Sequence, residues 1–224
     1  MVSPIFIIAG SLGGAFLLGL LPDPWRRASY AISLLVLTFT TGLAGSWVWG
    51  LSTGTVLPVD VLTAGTEPPF AVNLRLGIAE AAMVLLINLT GLLSALYLRD
   101  TLFKQGRRAM AVLLIFSMAL SGIVMTRDLF NLFVFFELAV ISTGGLILLS
   151  RAPRALSAGF KYLVASQVVS ILMLVGIIFA YHATGSLNLD DMAAESAQLL
   201  KGGALAFFLI FIAVVAELKL FPAN

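Results

Sequence analysis

The stretch Asp128-Leu129-Phe130-Asn131-Leu132-Phe133-Val134-Phe135-Phe136-Glu137-Leu138-Ala139-Val140 places one carboxylate in the middle of an apolar run. About a dozen mostly hydrocarbon residues follow Glu137 before the next charge, Arg151. An ionised carboxylate at that depth in a bilayer costs about 2.5–3.5 kcal/mol even on lenient insertion scales, so it requires a partner, a water path or a proton. Glu137 is therefore the first candidate functional residue.

The rest of the chain is built the same way. Of its 224 residues 60% are hydrophobic and only 11% charged, and the mean hydropathy is +1.08. A soluble domain carries about a quarter charged residues, so this is the composition of an integral membrane protein. Apolar runs near 3–21, 28–51, 74–98, 109–125, 129–150, 159–181 and 203–222 predict an all-α polytopic fold of about seven transmembrane helices. No internal proline interrupts a span until Pro222, which predicts that the seventh helix breaks there and frees backbone carbonyls. Residues 1–21 lack a basic leader and read as a retained first span.

Charge falls in a pattern across this frame. Arg26 and Arg27, then Arg99, Lys104, Arg107 and Arg108, then Arg151 and Arg154 occupy the odd-numbered connections, whereas the even ones carry Asp60, Glu67, Arg127, Asp128, Asp190, Asp191, Glu195 and Lys201. By the positive-inside rule the odd connections are cytoplasmic and the N-terminus is outside. The expected location is the inner (cytoplasmic) membrane. The connection 52–73, with Gly54, Pro58, Gly65 and Pro68-Pro69, predicts an ordered external loop or short hairpin. The segment 188–201 reads as an amphipathic interfacial helix or as a solvated linker. Gly10-Ser11-Leu12-Gly13-Gly14, Gly42/Ala44/Gly45 and Thr143-Gly144-Gly145 are small-residue clusters that predict close helix packing.

Composition also excludes chemistry. Cysteine is absent and His182 is the only histidine, which removes thiolate-held iron–sulfur clusters, bis-histidine haem and His/Cys zinc sites. No cofactor or metal is expected, and any redox reaction belongs to another chain. The net charge of +2 is too small to suggest nucleic acid.

Other charges inside the apolar runs are Lys161, near the start of the sixth span, and Glu217 with Lys219, deep in the seventh before Pro222. A glutamate and a lysine held together in low dielectric keep each other ionised, and separated they drift toward neutrality. Such a pair is a proton switch. Lys161 reads either as part of that path or as a residue snorkelling to the interface. Glu80 is expected to pair locally with Arg75, Arg127 and Asp128 to form a short turn, and His182 to sit at the interface.

At these residues the chain resembles a family. Thr126-Arg127-Asp128-Leu129-Phe130-Asn131-Leu132-Phe133-Val134-Phe135-Phe136-Glu137 is similar to the span-five signature of the antiporter-like proton-translocating subunits. These are found in respiratory complex I, in the membrane-bound hydrogenases and, as the D subunit, in the multisubunit cation/proton antiporters. Gly159-Phe160-Lys161-Tyr162-Leu163, Tyr181-His182-Ala183-Thr184-Gly185-Ser186-Leu187-Asn188 and Pro68-Pro69-Phe70 add to the likeness, which runs from about Thr66 to Pro222. The resemblance implies that Glu137 pairs with a lysine on a broken seventh helix and that Lys161 lies along a hydrated path. It implies proton translocation within a larger assembly of membrane subunits, driven by redox partners of the NADH:quinone oxidoreductase or hydrogenase type. A sodium/proton antiporter component without redox coupling, and a non-conducting scaffold, are the competing readings.

The chain departs from the family pattern twice. The family lysine of span seven stands five residues before the helix-breaking proline, where this chain has Glu217, whereas Lys219 stands three before Pro222. Two residues turn a helix by about 200°, so either Lys219 takes the role after a local shift or Glu217 makes a different, carboxylate site. The family also has about fourteen spans in two inverted repeats. Here 1–108 reads as three N-terminal helices with the loop 52–73, and 109–224 as an incomplete first repeat within one transmembrane domain, the later helices expected from another chain or from the remainder of a longer one.

Overall fold

The computed structural model describes residues 1–22, 24–62, 72–150, 152–194 and 203–217. Lys219 and Pro222, like the centre of the loop 52–73, lie outside the described residues. Nine helices and one hairpin follow in the order α1 (Ile5–Leu20), α2 (Arg26–Ser52), β1 (Val59–Leu62), β2 (Asn73–Leu76), α3 (Ile78–Tyr97), α4 (Arg99–Gln105), α5 (Arg107–Met125), α6 (Leu129–Leu149), α7 (Ala155–Thr184), α8 (Leu189–Ala194) and α9 (Ala204–Glu217) among the described residues. Five of these, α2, α3, α5, α6 and α7, are long and apolar enough to cross a membrane, and α1 and α9 are shorter apolar helices. Together they match the seven expected spans. The short α4, set off from α5 by Gly106 at φ 83°, is not visible in hydropathy because seven polar-rich residues cannot cross a bilayer.

The bundle has two parts. Helices α1, α2 and α3 gather around α5, and α6, α7 and α9 extend from it as a row, each packed on the one before. Ile7, Trp47, Val84 and Met125 anchor the core toward one end of the first part, and Leu18, Leu37, Met110 and Leu114 the core toward the other. Met173, Ile177, Ala206 and Ala213 join α7 to α9. Outward-facing apolar side chains such as Leu35, Leu86, Val168 and Phe207 are exposed, as expected of a surface that meets lipid tails.

Small residues set several helix separations. A Cβ on Gly14 would lie 2.7 Å from Val36 Cγ2, one on Gly176 would lie 2.7 Å from Ile210 Cγ1, and one on Gly144 would collide with Leu163. Gly13 and Gly42 face open space and a Cβ on Gly45 would meet Leu85 only at 3.8 Å, an ordinary contact, so the close approaches within the predicted clusters are those of Gly14 and Gly144. Inside the first part, Asn88 is completely buried and donates through Nδ2 to Val84 O at 2.9 Å and to Ser121 Oγ at 3.1 Å, tying α3 to α5. An amide buried in this way is held because the alternative is an unsatisfied polar group in hydrocarbon.

The acidic end of the bundle is bound by backbone pairing. The 52–73 connection forms the expected hairpin, β1 antiparallel to β2 with Asp60 opposite Arg75. Bridges Leu74↔Thr126 and Asp128↔Asn188 extend this pairing through the α5–α6 turn to the segment after α7. Asp128 caps α6, its Oδ1 accepting from Asn131 N at 2.7 Å. Gly185, at φ 70°, ends α7 in the left-handed conformation. The interfacial helix expected after it begins as α8, with Asp190 and Asp191 in its first turn, and the remainder of that segment lies outside the described residues.

Candidate functional site

The structure builds the site on α6, α7 and α9, three consecutive packed helices. Glu137 sits midway along α6, where the run from Leu129 to Leu149 is helical without interruption. Its Oε2 accepts a hydrogen bond from Gln167 Nε2 of α7 at 3.0 Å. A neutral amide thus holds one oxygen of the acid, and the other, Oε1, is buried without a hydrogen-bond partner among the described residues.

A second carboxylate lies two helices further along the row, on α9. Glu217, at the end of α9, accepts at Oε1 from Ser166 Oγ at 3.0 Å and from Tyr162 Oη at 3.5 Å. Tyr162 and Ser166 are four apart on α7 and share a face. The Tyr162 hydroxyl also engages Thr143 of α6, whose own hydroxyl donates to Ala139 O at 2.9 Å. A cleft of about 170 Å³ opens here, lined by Leu120 and Ile123 of α5, Phe136, Ala139, Val140 and Thr143 of α6, Tyr162 and Glu217. Its walls are apolar and its polar groups are a carboxylate and hydroxyls. A hydroxyl both donates and accepts, so it can pass a proton by turning.

The two acids address adjacent residues of one helix, Gln167 and Ser166. Sequence reasoning missed that juxtaposition. Gln167, Ser166, Tyr162 and Thr143 carry no formal charge, and the available signal was four polar residues within otherwise apolar spans. Lys161 is exposed on α7 and begins the same turn as Tyr162. It stands six residues before Gln167, about 9 Å along the helix axis, and rotated away from it. Glu80 does not pair with Arg75. Its Oε1 meets Arg127 Nη2 at 3.3 Å, and its Oε2 accepts from Gly77 N at 3.1 Å to cap α3. The reason is topological, since Arg75 is committed to β2 opposite Asp60 while the α5–α6 turn carries Arg127 to α3.

The chain is similar in sequence and in fold to known proteins. Residues 126–224 match the family model described as NADH:quinone oxidoreductase/Mrp antiporter, TM. Over those residues the chain is similar to the antiporter-like family. It is 31% identical over 169 residues to the D subunit of the Na(+)/H(+) antiporter of Alkalihalophilus pseudofirmus, covering 73% of this chain and 34% of that protein. It is 29% identical over 175 residues to the N subunit of the NADH-quinone oxidoreductase of Desulforudis audaxviator, covering 75% of this chain and 34% of the relative. Among solved structures, a chain of the membrane-bound sulfane sulfur reductase, an archaeal respiratory membrane complex, superposes with a TM-score of 0.89 at 27% identity, over 99% of this chain and 46% of that one. This antiporter-like chain thus spans about a third of the curated relatives it matches and under half of the structural neighbour. Its neighbours in structure are parts of multisubunit membrane complexes.

Proposed function

We propose that this chain carries protons across the inner membrane as part of a larger antiporter-like assembly, with Glu137 as the group that takes and releases the proton. The observation that carries this reading is the state of Glu137: one oxygen on a neutral amide, the other buried without a partner among the described residues. In the low-dielectric middle of the membrane such an acid responds strongly to any charge that approaches or withdraws. Glu217, with the hydroxyls of Tyr162 and Ser166, forms the next station on α7 and α9. Lys219, or Glu217 itself, supplies the movable charge on the seventh span, Pro222 provides the break that lets it move, and Lys161 draws the proton toward the basic end of the bundle. The N-terminus is outside in this arrangement, and the cytoplasm faces the arginine-rich connections.

The driving reaction belongs to partner subunits, of the NADH:quinone oxidoreductase or hydrogenase type, since the chain has no cysteine and a single histidine to hold a redox centre. Relatives of both kinds support either a redox-driven or a sodium-driven assembly. Substitution in the assembled complex tests the reading. Glu137→Gln keeps the shape and hydrogen-bonding capacity of the side chain but cannot ionise, and proton uptake by vesicles is expected to fall on the order of a hundredfold with subunit content unchanged. Unchanged uptake in that variant overturns the proposal. Running the same assay with and without sodium, in the absence of an electron donor, separates the two driving forces.

A further inference from the structure

The arginines of the basic end do more than face water. Arg26 at the start of α2, Gln105 and Gly106 at the α4–α5 junction, Arg107 and Arg108 opening α5, and Leu149 closing α6 line a cleft of about 340 Å³. That is the low end of the range for ligand sites, about 300–1,000 Å³. Every charged side chain lining it is an arginine. The odd-numbered connections as a whole carry eight basic residues and two acids, Asp23 and Asp100. Arg107 and Arg108 also wall a second cleft of about 210 Å³, whose remaining lining is Leu18, Gly19 and Ala111. One side of this pair of arginines is therefore cationic and the other is apolar. Beside the apolar cleft, α1 exposes Leu17 and Leu20.

We propose that the two clefts together bind one anionic phospholipid, its phosphate among Arg26, Arg107 and Arg108 and the upper part of an acyl chain against Leu18, Gly19 and Ala111. A soluble phosphate would use the first cleft and have no use for the second, whereas a lipid needs both, side by side, at the depth where spans end. Basic pockets between transmembrane helices suit such headgroups. The guanidinium geometry suits a phosphate, because a planar fork of N–H donors binds two of its oxygens at once. Arg26 uses Nη1 on Phe103 O at 3.2 Å, and its other donors are directed by that anchor rather than left on a swinging side chain. Arg107 holds α1 in place by donating to Gly19 O at 2.6 Å and to Leu21 O, so it shapes the cleft as well as charging it. The start of α5 adds the positive end of a 19-residue helix.

The experiment measures lipid retained by the full chain, purified from mixed phosphatidylglycerol and phosphatidylcholine vesicles and weighed by native mass spectrometry. Phosphatidylglycerol is expected to be retained preferentially, and R26Q/R108Q to lower that preference by about fivefold per arginine, near twenty-five-fold together. Arg107 is left intact because it holds α1. R27Q/R154Q removes the same charge outside the cleft and is expected to change the preference little. Equal retention of the two lipids, an equal loss in R27Q/R154Q, or displacement of the lipid by millimolar inorganic phosphate each overturns the proposal. Thermal unfolding of R26Q/R108Q in phosphatidylcholine alone keeps the test sound: an unchanged midpoint assigns the lost preference to the cleft, and a lowered one assigns both arginines to folding and overturns it.

Discussion

Two glutamates in this chain have opposite surroundings. Glu80, at the acidic end, spends one oxygen on Arg127 and the other on the N-cap of α3. Glu137, mid-membrane, has Gln167 on one oxygen and no partner among the described residues on the other. Both acids are helical and both reach across to another element. The difference is that Glu80 sits beside a turn held by backbone bridges, which bring a cation, Arg127, to it. Glu137 sits where a permanent cation would lock the acid in one state. A fixed ion pair serves architecture, and an acid on a neutral partner can serve transport.

The strongest way to break the comparison is Glu137→Gln, for which proton uptake should collapse and assembly should not. The next is to give Glu137 what Glu80 has. Gln167→Lys places a cation where the amide now donates, giving Glu137 a fixed ion-pair partner like that of Glu80. Uptake in the complex should then fall by about tenfold or more, with the chain still assembled. If the Lys variant pumps like the parent, the neutrality of residue 167 has no bearing on function.

Removing the cation from the structural acid should do the reverse. Arg127→Met leaves Glu80 capping α3 but unpaired, and the bond joining α3 to the α5–α6 turn is lost. The pair is roughly a quarter exposed, with side-chain accessibilities of 28% and 22%, so solvent screening holds its contribution to about 1 kcal/mol. The thermal midpoint of the detergent-solubilised complex should drop by a few degrees while the proton uptake per assembled complex is unchanged. A loss of uptake larger than the loss of assembled complex would make Glu80–Arg127 part of the path and erase the distinction between the two acids.

The sequence made one member of each contrast visible and hid its partner. Glu137 stands out because a charge in an apolar run is rare, and the seven spans stand out because hydrocarbon must cover about 30 Å of bilayer in each. A loop or short hairpin was legible from Gly54 and Pro58, since turn chemistry is local, whereas Asp128 was read only as part of a short turn with Arg127 and its capping of α6 came from the structure. Partners were not legible in that way. Gln167 is 30 residues from Glu137, and Arg127 is 47 from Glu80, and which side chains meet depends on how each helix is rotated about its axis. Nearness in sequence favoured Arg75 for Glu80, yet Arg75 lies in β2, in register with Asp60, and Glu80 pairs with Arg127. Glycines were half legible for the same reason: Gly14 and Gly144 meet neighbours and Gly13 and Gly42 do not, and a one-residue step turns a helix by about 100°.

The finest test concerns Glu217, which falls between the two extremes. Its partners are hydroxyls, weaker than a guanidinium and more versatile than an amide, because each can reverse donor and acceptor. Ser166 makes the shorter bond, at 3.0 Å, and Tyr162 a marginal one at 3.5 Å. Hydrogen bonds weaken steeply at that length. Tyr162→Phe keeps the ring that walls the cleft and deletes the long bond to Glu217 together with the contact to Thr143, so uptake should fall by less than about twofold. Ser166→Ala removes the shorter bond and should cost more, about threefold to tenfold. The ranking of the two variants is the informative result. A larger loss in Tyr162→Phe would place the proton's way through the Tyr162–Thr143 side of the cleft rather than through Ser166, and would separate the second acid from the Gln167 side on which Glu137 depends.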